Sequence, residues 1–255
     1  MTPEQFRLDG QVALITGGSR NLGRAMTRAL ADAGADCVIC SRHLEEAQAT
    51  ADEIAAETER RIVAHQVDLT VREQLEALVA ATLERFGRID VLINNAGVGL
   101  RKPIIEMSDD DWDTVLNLNV RAMFQLTRAV APHMIARRYG RIINITSALG
   151  SIVLPGRSAY CASKGAVIQL TKVMACEWAE HEITVNAIAP GPFDTPYNQL
   201  LKQQPEQYER YLNLIPQHRW AAGEEIQSAA LFLAAPASSF VTGSVVYVDG
   251  GWTAW

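Results

Sequence analysis

Short β-branched runs alternate with helix-patterned stretches along the whole chain. No other feature limits the fold as tightly. Strands separated by helix-length segments pair in parallel through crossovers, and a parallel sheet needs helices on both faces. The predicted strands are Val12–Thr16, Asp36–Cys40, Arg61–Gln66, Val91–Ile93, Arg141–Thr146, Thr184–Ile188 and Val245–Val248. The predicted helices are Leu22–Ala33, Leu44–Glu57, Arg72–Phe86, Asp109–Arg137, Ala159–Glu180 and Glu224–Leu233. Gly34 follows the first helix, and Ser108-Asp109-Asp110-Asp111 opens the fourth, as helix ends require. The expected fold is α/β, a doubly wound parallel sheet of about seven strands. No linker divides the 255 residues, so residues 1–255 read as a single domain. The stretch at about 191–222 reads as irregular, an insertion of the kind that shapes a substrate site.

The first strand ends in Thr16-Gly17-Gly18-Ser19-Arg20-Asn21-Leu22-Gly23 and runs straight into a helix. Glycines there let the backbone approach a pyrophosphate, which sits at the positive helix N-terminus. This is the Rossmann-type arrangement for a dinucleotide. A carboxylate at the end of the second strand would bind the adenosine ribose hydroxyls of NAD. The chain instead has Cys40-Ser41-Arg42, and Arg20 lies in the glycine turn. Two guanidiniums match the oxygens of a 2′-phosphate, so NADP(H) is favoured over NAD(H).

Tyr160 and Lys164 stand four residues apart, on one face of a predicted helix. An ammonium beside a phenol favours the phenolate and moves the tyrosine, normally near pKa ~10, toward neutrality. Such a tyrosine can pass a proton to or from a ketone or alcohol. An isolated YxxxK occurs in many helices. Here it stands with the glycine turn and with Ser147, thirteen residues upstream.

Other classes are disfavoured. The net charge is −6 and no basic run suggests nucleic acid. No apolar run is long enough to cross a membrane, and the first residues carry no secretory pattern. The cysteines are Cys37, Cys40, Cys161 and Cys176. Strand alternation sends Cys37 and Cys40 to opposite faces, so their CxxC is neither a redox pair nor a metal pair. The expectation is reduced thiols, most of them packed in a core, in a cytoplasmic protein with no metal. Trp112 and Trp178 sit in helical patterns as core or interface residues.

These motifs together resemble the short-chain dehydrogenase/reductase family, single-domain type, over nearly the whole chain. The family's TGxxxGxG is Thr16–Gly23, its NNAG is Asn94-Asn95-Ala96-Gly97, and its YxxxK is Tyr160–Lys164. The family's helix asparagine falls on Asn119 and its serine on Ser147. Pro190-Gly191 follows the sixth strand, with Thr195 where the family contacts the nicotinamide amide, and Asp68 matches a residue that touches adenine. The resemblance implies a catalytic set of Asn119, Ser147, Tyr160 and Lys164. It implies a cofactor set of Gly17, Ser19, Arg20, Asn21, Leu22, Gly23, Ser41, Arg42, Asp68, Leu69, Asn95, Ala96, Gly97, Tyr160, Lys164, Pro190, Gly191 and Thr195. In those roles Tyr160 is the acid/base, Lys164 lowers its pKa and holds the nicotinamide ribose, and Ser147 binds the substrate oxygen. Asn119 holds a water that relays protons to Lys164. One departure is Asn21 at the middle glycine of the motif; asparagine tolerates the left-handed backbone such a turn needs.

The expected substrate pocket draws on Ser147, Leu149, Ile152, Leu154, Arg157, Tyr160, Phe193, Tyr197 and Trp220. Within the family, two readings compete. One is a sugar-acid or polyol dehydrogenase resembling the gluconate 5-dehydrogenase group. The other is a 3-oxoacyl reductase acting on an acyl-carrier-protein or coenzyme A thioester. Cys176 stands where carrier-protein reductases carry a basic residue, which favours a small carbonyl or hydroxy compound. A reading from another class is a non-catalytic NADP-binding sensor or scaffold, against which the retained Tyr160 and Lys164 weigh. The resemblance also implies a homotetramer, and Trp252 is expected to be covered.

Overall fold

The computed structural model describes residues 3–195 and 202–254. Its strands are β1 (Val12–Thr16), β2 (Asp36–Ser41), β3 (Ile62–Gln66), β4 (Val91–Asn94), β5 (Gly140–Ile145), β6 (Ile183–Pro190) and β7 (Val245–Val248). They form one seven-stranded sheet in the order β3-β2-β1-β4-β5-β6-β7. Every neighbouring pair is parallel. The order reverses between β1 and β4, and ligands of open α/β sheets bind beyond the strand ends at such a switch point.

The helices are α1 (Asn21–Asp32), α2 (Leu44–Thr58), α3 (Arg72–Phe86), α4 (Asp109–Leu116), α5 (Met123–Arg137), α6 (Ser158–Trp178), α7 (Pro205–Leu212) and α8 (Gln227–Ala234). They cover the sheet on two sides because strand neighbours face opposite ways. Ile15, Ile39, Ile93 and Ile143 pack with Met26, Leu30, Ile54 and Leu233 of α1, α2 and α8. Their neighbours Leu14, Val38, Leu92 and Ile142 pack with Leu75, Leu126, Val130 and Val167 of α3, α5 and α6. Cys37 belongs to the first layer and Cys40 to the second, so the two thiols do lie on opposite faces. Cys161 is half-buried and Cys176 is exposed, so Cys176 has no packing role within this chain.

Two elements differ from the sequence expectation. The predicted helix Asp109–Arg137 is interrupted by a π-helical segment at Asn117–Ala122. The stretch expected to be irregular contains α7, which starts on Pro205. It is short, and its only inward face is Tyr208, Tyr211 and Leu212, of which Leu212 alone is fully buried. Trp252 is covered within the chain itself, at 7% exposure, in a small cluster with Leu149, Leu212, Ile215 and Trp220. Among the described residues, no helix is long and apolar enough to cross a membrane.

Candidate active site

The ends of β1 and β4 are tied together by the motif residues themselves. The Thr16 hydroxyl accepts from the backbone N–H of Asn95 at 2.9 Å and of Ala96 at 3.0 Å. The Asn95 amide donates back to the carbonyls of Thr16 at 2.9 Å and Gly17 at 3.1 Å. A buried polar ladder fixes the next layer. The Asn94 amide donates to Thr127 Oγ1 at 2.9 Å and Asn144 Oδ1 at 2.8 Å, and Asn144 donates to Thr171 Oγ1 at 2.9 Å. β4, β5, α5 and α6 are thereby held in register around one crevice.

The glycine turn forms a cradle that side chains would fill. Gly17 has φ +62°, and a Cβ on Gly23 would lie 2.0 Å from the Gly17 carbonyl oxygen. Asn21 adopts φ 47°, the left-handed conformation expected of it. Arg20, the residue capping α1, makes no side-chain bond to the helix N-terminus. The first-turn N–H groups of α1 are thus left without a side-chain cap, as a phosphate site requires. The Ser19 hydroxyl donates to Glu46 Oε1 at 2.5 Å.

A cavity of about 780 Å³ runs along this crevice. All the cofactor-set residues line it: Gly17 through Gly23 except Gly18, with Ser41, Arg42, Asp68, Leu69, Asn95, Ala96, Gly97, Tyr160, Lys164, Pro190, Gly191 and Thr195. The residues present fit a dinucleotide: a glycine cradle, an uncapped helix N-terminus and two arginines at one end. The Asp68 carboxyl is held below the usual carboxylate range, chiefly by the Thr70 hydroxyl at 2.7 Å, with Arg42 adding to the effect.

At the other end stands the acid–base group. β5 delivers Ser147 in extended conformation, where its Oγ accepts from the Leu149 N–H at 3.1 Å and donates to the Pro190 carbonyl at 3.5 Å. Thr146 fastens this turn to α6 by donating to the Lys164 carbonyl at 2.8 Å. The Lys164 ammonium donates to the Ile145 carbonyl at 2.8 Å and lies 5.8 Å from the centroid of the Tyr160 ring. Burial pushes Lys164 down to about 8, because the interior disfavours its charged form. Asn119 sits in the π-helical segment behind the cavity. Its Oδ1 accepts from the Val98 N–H at 2.8 Å, and its Nδ2 donates to the Val98 carbonyl at 2.9 Å and Ser163 Oγ at 3.0 Å. Asn119 does not line the cavity; it positions the Gly97–Val98 backbone beside Lys164.

Of the expected pocket residues, Leu149, Leu154, Arg157, Phe193 and Trp220 line the cavity and Ile152 packs behind it. Tyr197 lies outside the described residues. Sequence reasoning missed Gly99, Arg101, Tyr211 and Trp252, all lining residues. Tyr211 and Trp252 pack against each other at 6.4 Å between ring centroids.

The family described as Enoyl-(Acyl carrier protein) reductase matches residues 17–253. The 2-dehydro-3-deoxy-D-gluconate 5-dehydrogenase of Pseudoalteromonas atlantica is 41% identical over 253 residues, covering 98% of each chain. The 3-oxoacyl-[acyl-carrier-protein] reductase of Thermotoga maritima is 38% identical, covering 96% of this chain and 99% of its own. A gluconate 5-dehydrogenase from Burkholderia cenocepacia, solved in complex with NADP and tartrate, superposes with a TM-score of 0.95 at 39% identity, covering 99% of both chains. The fold and the assembled site define an NAD(P)-dependent oxidoreductase. The chain belongs to the short-chain dehydrogenase/reductase family.

Proposed function

We propose that this enzyme interconverts a ketone and a secondary alcohol on a small sugar acid or polyol, using NADP(H) in preference to NAD(H). One observation carries the reading: Ser147, Tyr160 and Lys164 meet in the same cavity as the glycine cradle, among apolar and aromatic walls. When bound, the nicotinamide exchanges a hydride with the carbinol carbon. Tyr160 gives its phenolic proton to the carbonyl oxygen on reduction and removes it from the alcohol on oxidation. The Ser147 hydroxyl donates a hydrogen bond to the same oxygen and stabilises the charge that develops on it. Lys164 faces the Tyr160 ring and stabilises its anionic form. Asn119 keeps the Gly97–Val98 backbone in place, and protons reach Lys164 through a water at this position.

Arg20 and Arg42 support the 2′-phosphate because no carboxylate ends β2, and the Burkholderia relative was solved with NADP. The similarity to sugar-acid dehydrogenases supports the substrate class. The exposed Cys176, at the position where carrier-protein reductases carry a base, supports a free small molecule. Part of the 191–222 segment supplies Phe193, Thr195, Tyr211 and Trp220 to the pocket, as a substrate-specific insertion would. Large apolar side chains outside the core, Trp112, Phe124, Val173 and Phe240 at 40%, 42%, 51% and 103% exposure, support a homotetramer built partly on α4–α6. Buried thiols at Cys37 and Cys40 support a reducing, cytoplasmic setting.

The test follows nicotinamide absorbance with NADPH and NADH in parallel against keto-sugar acids and 3-oxoacyl thioesters. Turnover of the sugar panel with NADPH is expected. Turnover confined to the thioesters would overturn the substrate class, and no turnover of any carbonyl would leave a nucleotide-binding sensor.

A further inference from the structure

We propose that Glu46 opposes the two arginines at the adenosine end of the cavity. Acting through the Ser19 hydroxyl, it lowers the preference for a 2′-phosphate and keeps the site open to a cofactor with a free 2′-hydroxyl. The inference rests on the NADP(H) reading and names a positioning residue that sets how strong that preference is.

Ser19 stands in the glycine turn between Gly18 and Arg20, and it lines the cavity with Arg20, Ser41 and Arg42. It is only 3% exposed, because α2 packs over it. Two bonds hold it there. Its backbone carbonyl accepts from Thr50 Oγ1 at 2.9 Å, and its hydroxyl donates to Glu46 Oε1 at 2.5 Å. Glu46 and Thr50 are one turn apart on the same face of α2. The phosphate turn is thus locked to α2 through a serine whose proton is directed at a carboxylate.

That direction matters for what the serine can bind. A hydroxyl has one proton and two lone pairs, whereas an ionised carboxylate only accepts. While Glu46 is ionised it holds the Ser19 proton, and Ser19 Oγ offers lone pairs to anything else. A ribose 2′-hydroxyl can donate to such a lone pair. A 2′-phosphate, rich in acceptors and negatively charged, cannot, and the charge of Glu46 lies one hydrogen bond behind the serine. Arg20 and Arg42 pull the other way. The cations that reach α2 from α1 are paired with other acids: Arg24 with Glu53, and Arg28 with Asp32 and Glu57. A first-turn glutamate also suits the helix dipole, but Glu45 shares that role, and it would not distinguish two nucleotides.

The experiment titrates the cofactor-free protein by calorimetry with adenosine 2′,5′-bisphosphate and adenosine 5′-monophosphate, which differ only in the 2′-phosphate. Wild type is expected to favour the bisphosphate. Glu46→Gln removes the charge at nearly the same side-chain length, and the bisphosphate-to-monophosphate affinity ratio should rise roughly 3–10-fold, the range of a partly screened charge pair. Ser19→Ala should leave the ratio nearly unchanged in wild type, where the proton is committed to Glu46. In a Glu46→Ala background the freed Ser19 hydroxyl can donate, and Ser19→Ala should then lower the ratio several-fold. A ratio unchanged or lowered in Glu46→Gln would overturn the assignment, as would an equal effect of Ser19→Ala in both backgrounds. A purely structural role for Glu46 would weaken both nucleotides together and leave the ratio where it was. A wild type that binds the two nucleotides equally, with a Glu46→Gln variant that prefers the bisphosphate, would instead contradict the NADP(H) preference while upholding Glu46.

Discussion

The Lys164 ammonium lies 5.8 Å from the Tyr160 ring centroid while donating to the Ile145 carbonyl at the end of β5. The sheet thus holds the cation, and the first two turns of α6 hold both residues of the pair. At 4% exposure Lys164 is desolvated, and its pKa falls from 10.5 to about 8.

That depression has a measurable sign. Below pH 8 the lysine is protonated both folded and unfolded, and the burial penalty is present in full. Between about 8 and 10.5 the unfolded chain holds the proton and the folded chain does not. Stability from this group therefore rises with pH across that window, by up to about 1.4 kcal/mol per pH unit, and levels off above it. Denaturant titrations of the cofactor-free protein should show wild type gaining on Lys164→Met from pH 8 to 10.5. A constant difference between the two would contradict the burial effect.

Gly23→Ala should destroy the cradle. Its Cβ would fall 2.0 Å from the Gly17 carbonyl oxygen, a backbone atom that cannot move without opening the turn. Asn95 also holds that turn, through the same carbonyl at 3.1 Å. Cofactor affinity measured by fluorescence titration should fall at least 100-fold, with stability lower by about 1–3 kcal/mol. Gly87→Ala is the control for a positive-φ glycine: it has φ +73° with nothing within 4 Å, and it should leave cofactor binding intact.

The sheet and its two packed layers were legible in the sequence because each rests on a local rule. Period-two alternation sent Ile15 and Leu14 to opposite faces, and the same rule separated Cys37 from Cys40. Asn21 was legible because few residues tolerate φ 47°. Most of the cavity lining was legible through the family resemblance, whose motif residues lie at strand ends. What escaped was long-range. α7 is only eight residues long, and its apolar stripe is a single i, i+3, i+4 set, Tyr208, Tyr211 and Leu212, which is too short to stand out in the sequence. Trp252 reaches the pocket only because β7 pairs with β6 and carries the chain end back across the site. Arg157 stood among the expected pocket residues, but only the fold shows its guanidinium beside Gly99 and Tyr160.

Arg42→Ala should change cofactor selectivity more than turnover. Arg42 is exposed at the end of β2 and lines the adenosine end of the cavity beside Ser41 and Asp68. A solvent-screened guanidinium on a phosphate should contribute about tenfold in affinity, and less at high salt. The ratio of kcat/KM for NADPH over NADH should drop about tenfold in the variant, with kcat at saturating NADPH nearly constant. An unchanged ratio would place 2′-phosphate recognition elsewhere.

The most direct test removes one oxygen. Tyr160→Phe keeps the ring against Lys164 and the cavity wall but deletes the proton that moves. With a substrate that wild type turns over, kcat should fall between about 10²- and 10⁴-fold, the usual contribution of a positioned acid–base group. NADPH affinity by fluorescence titration should stay within a few-fold of wild type. A variant that keeps turnover within tenfold of wild type would contradict Tyr160 as the acid/base and the mechanism built on it.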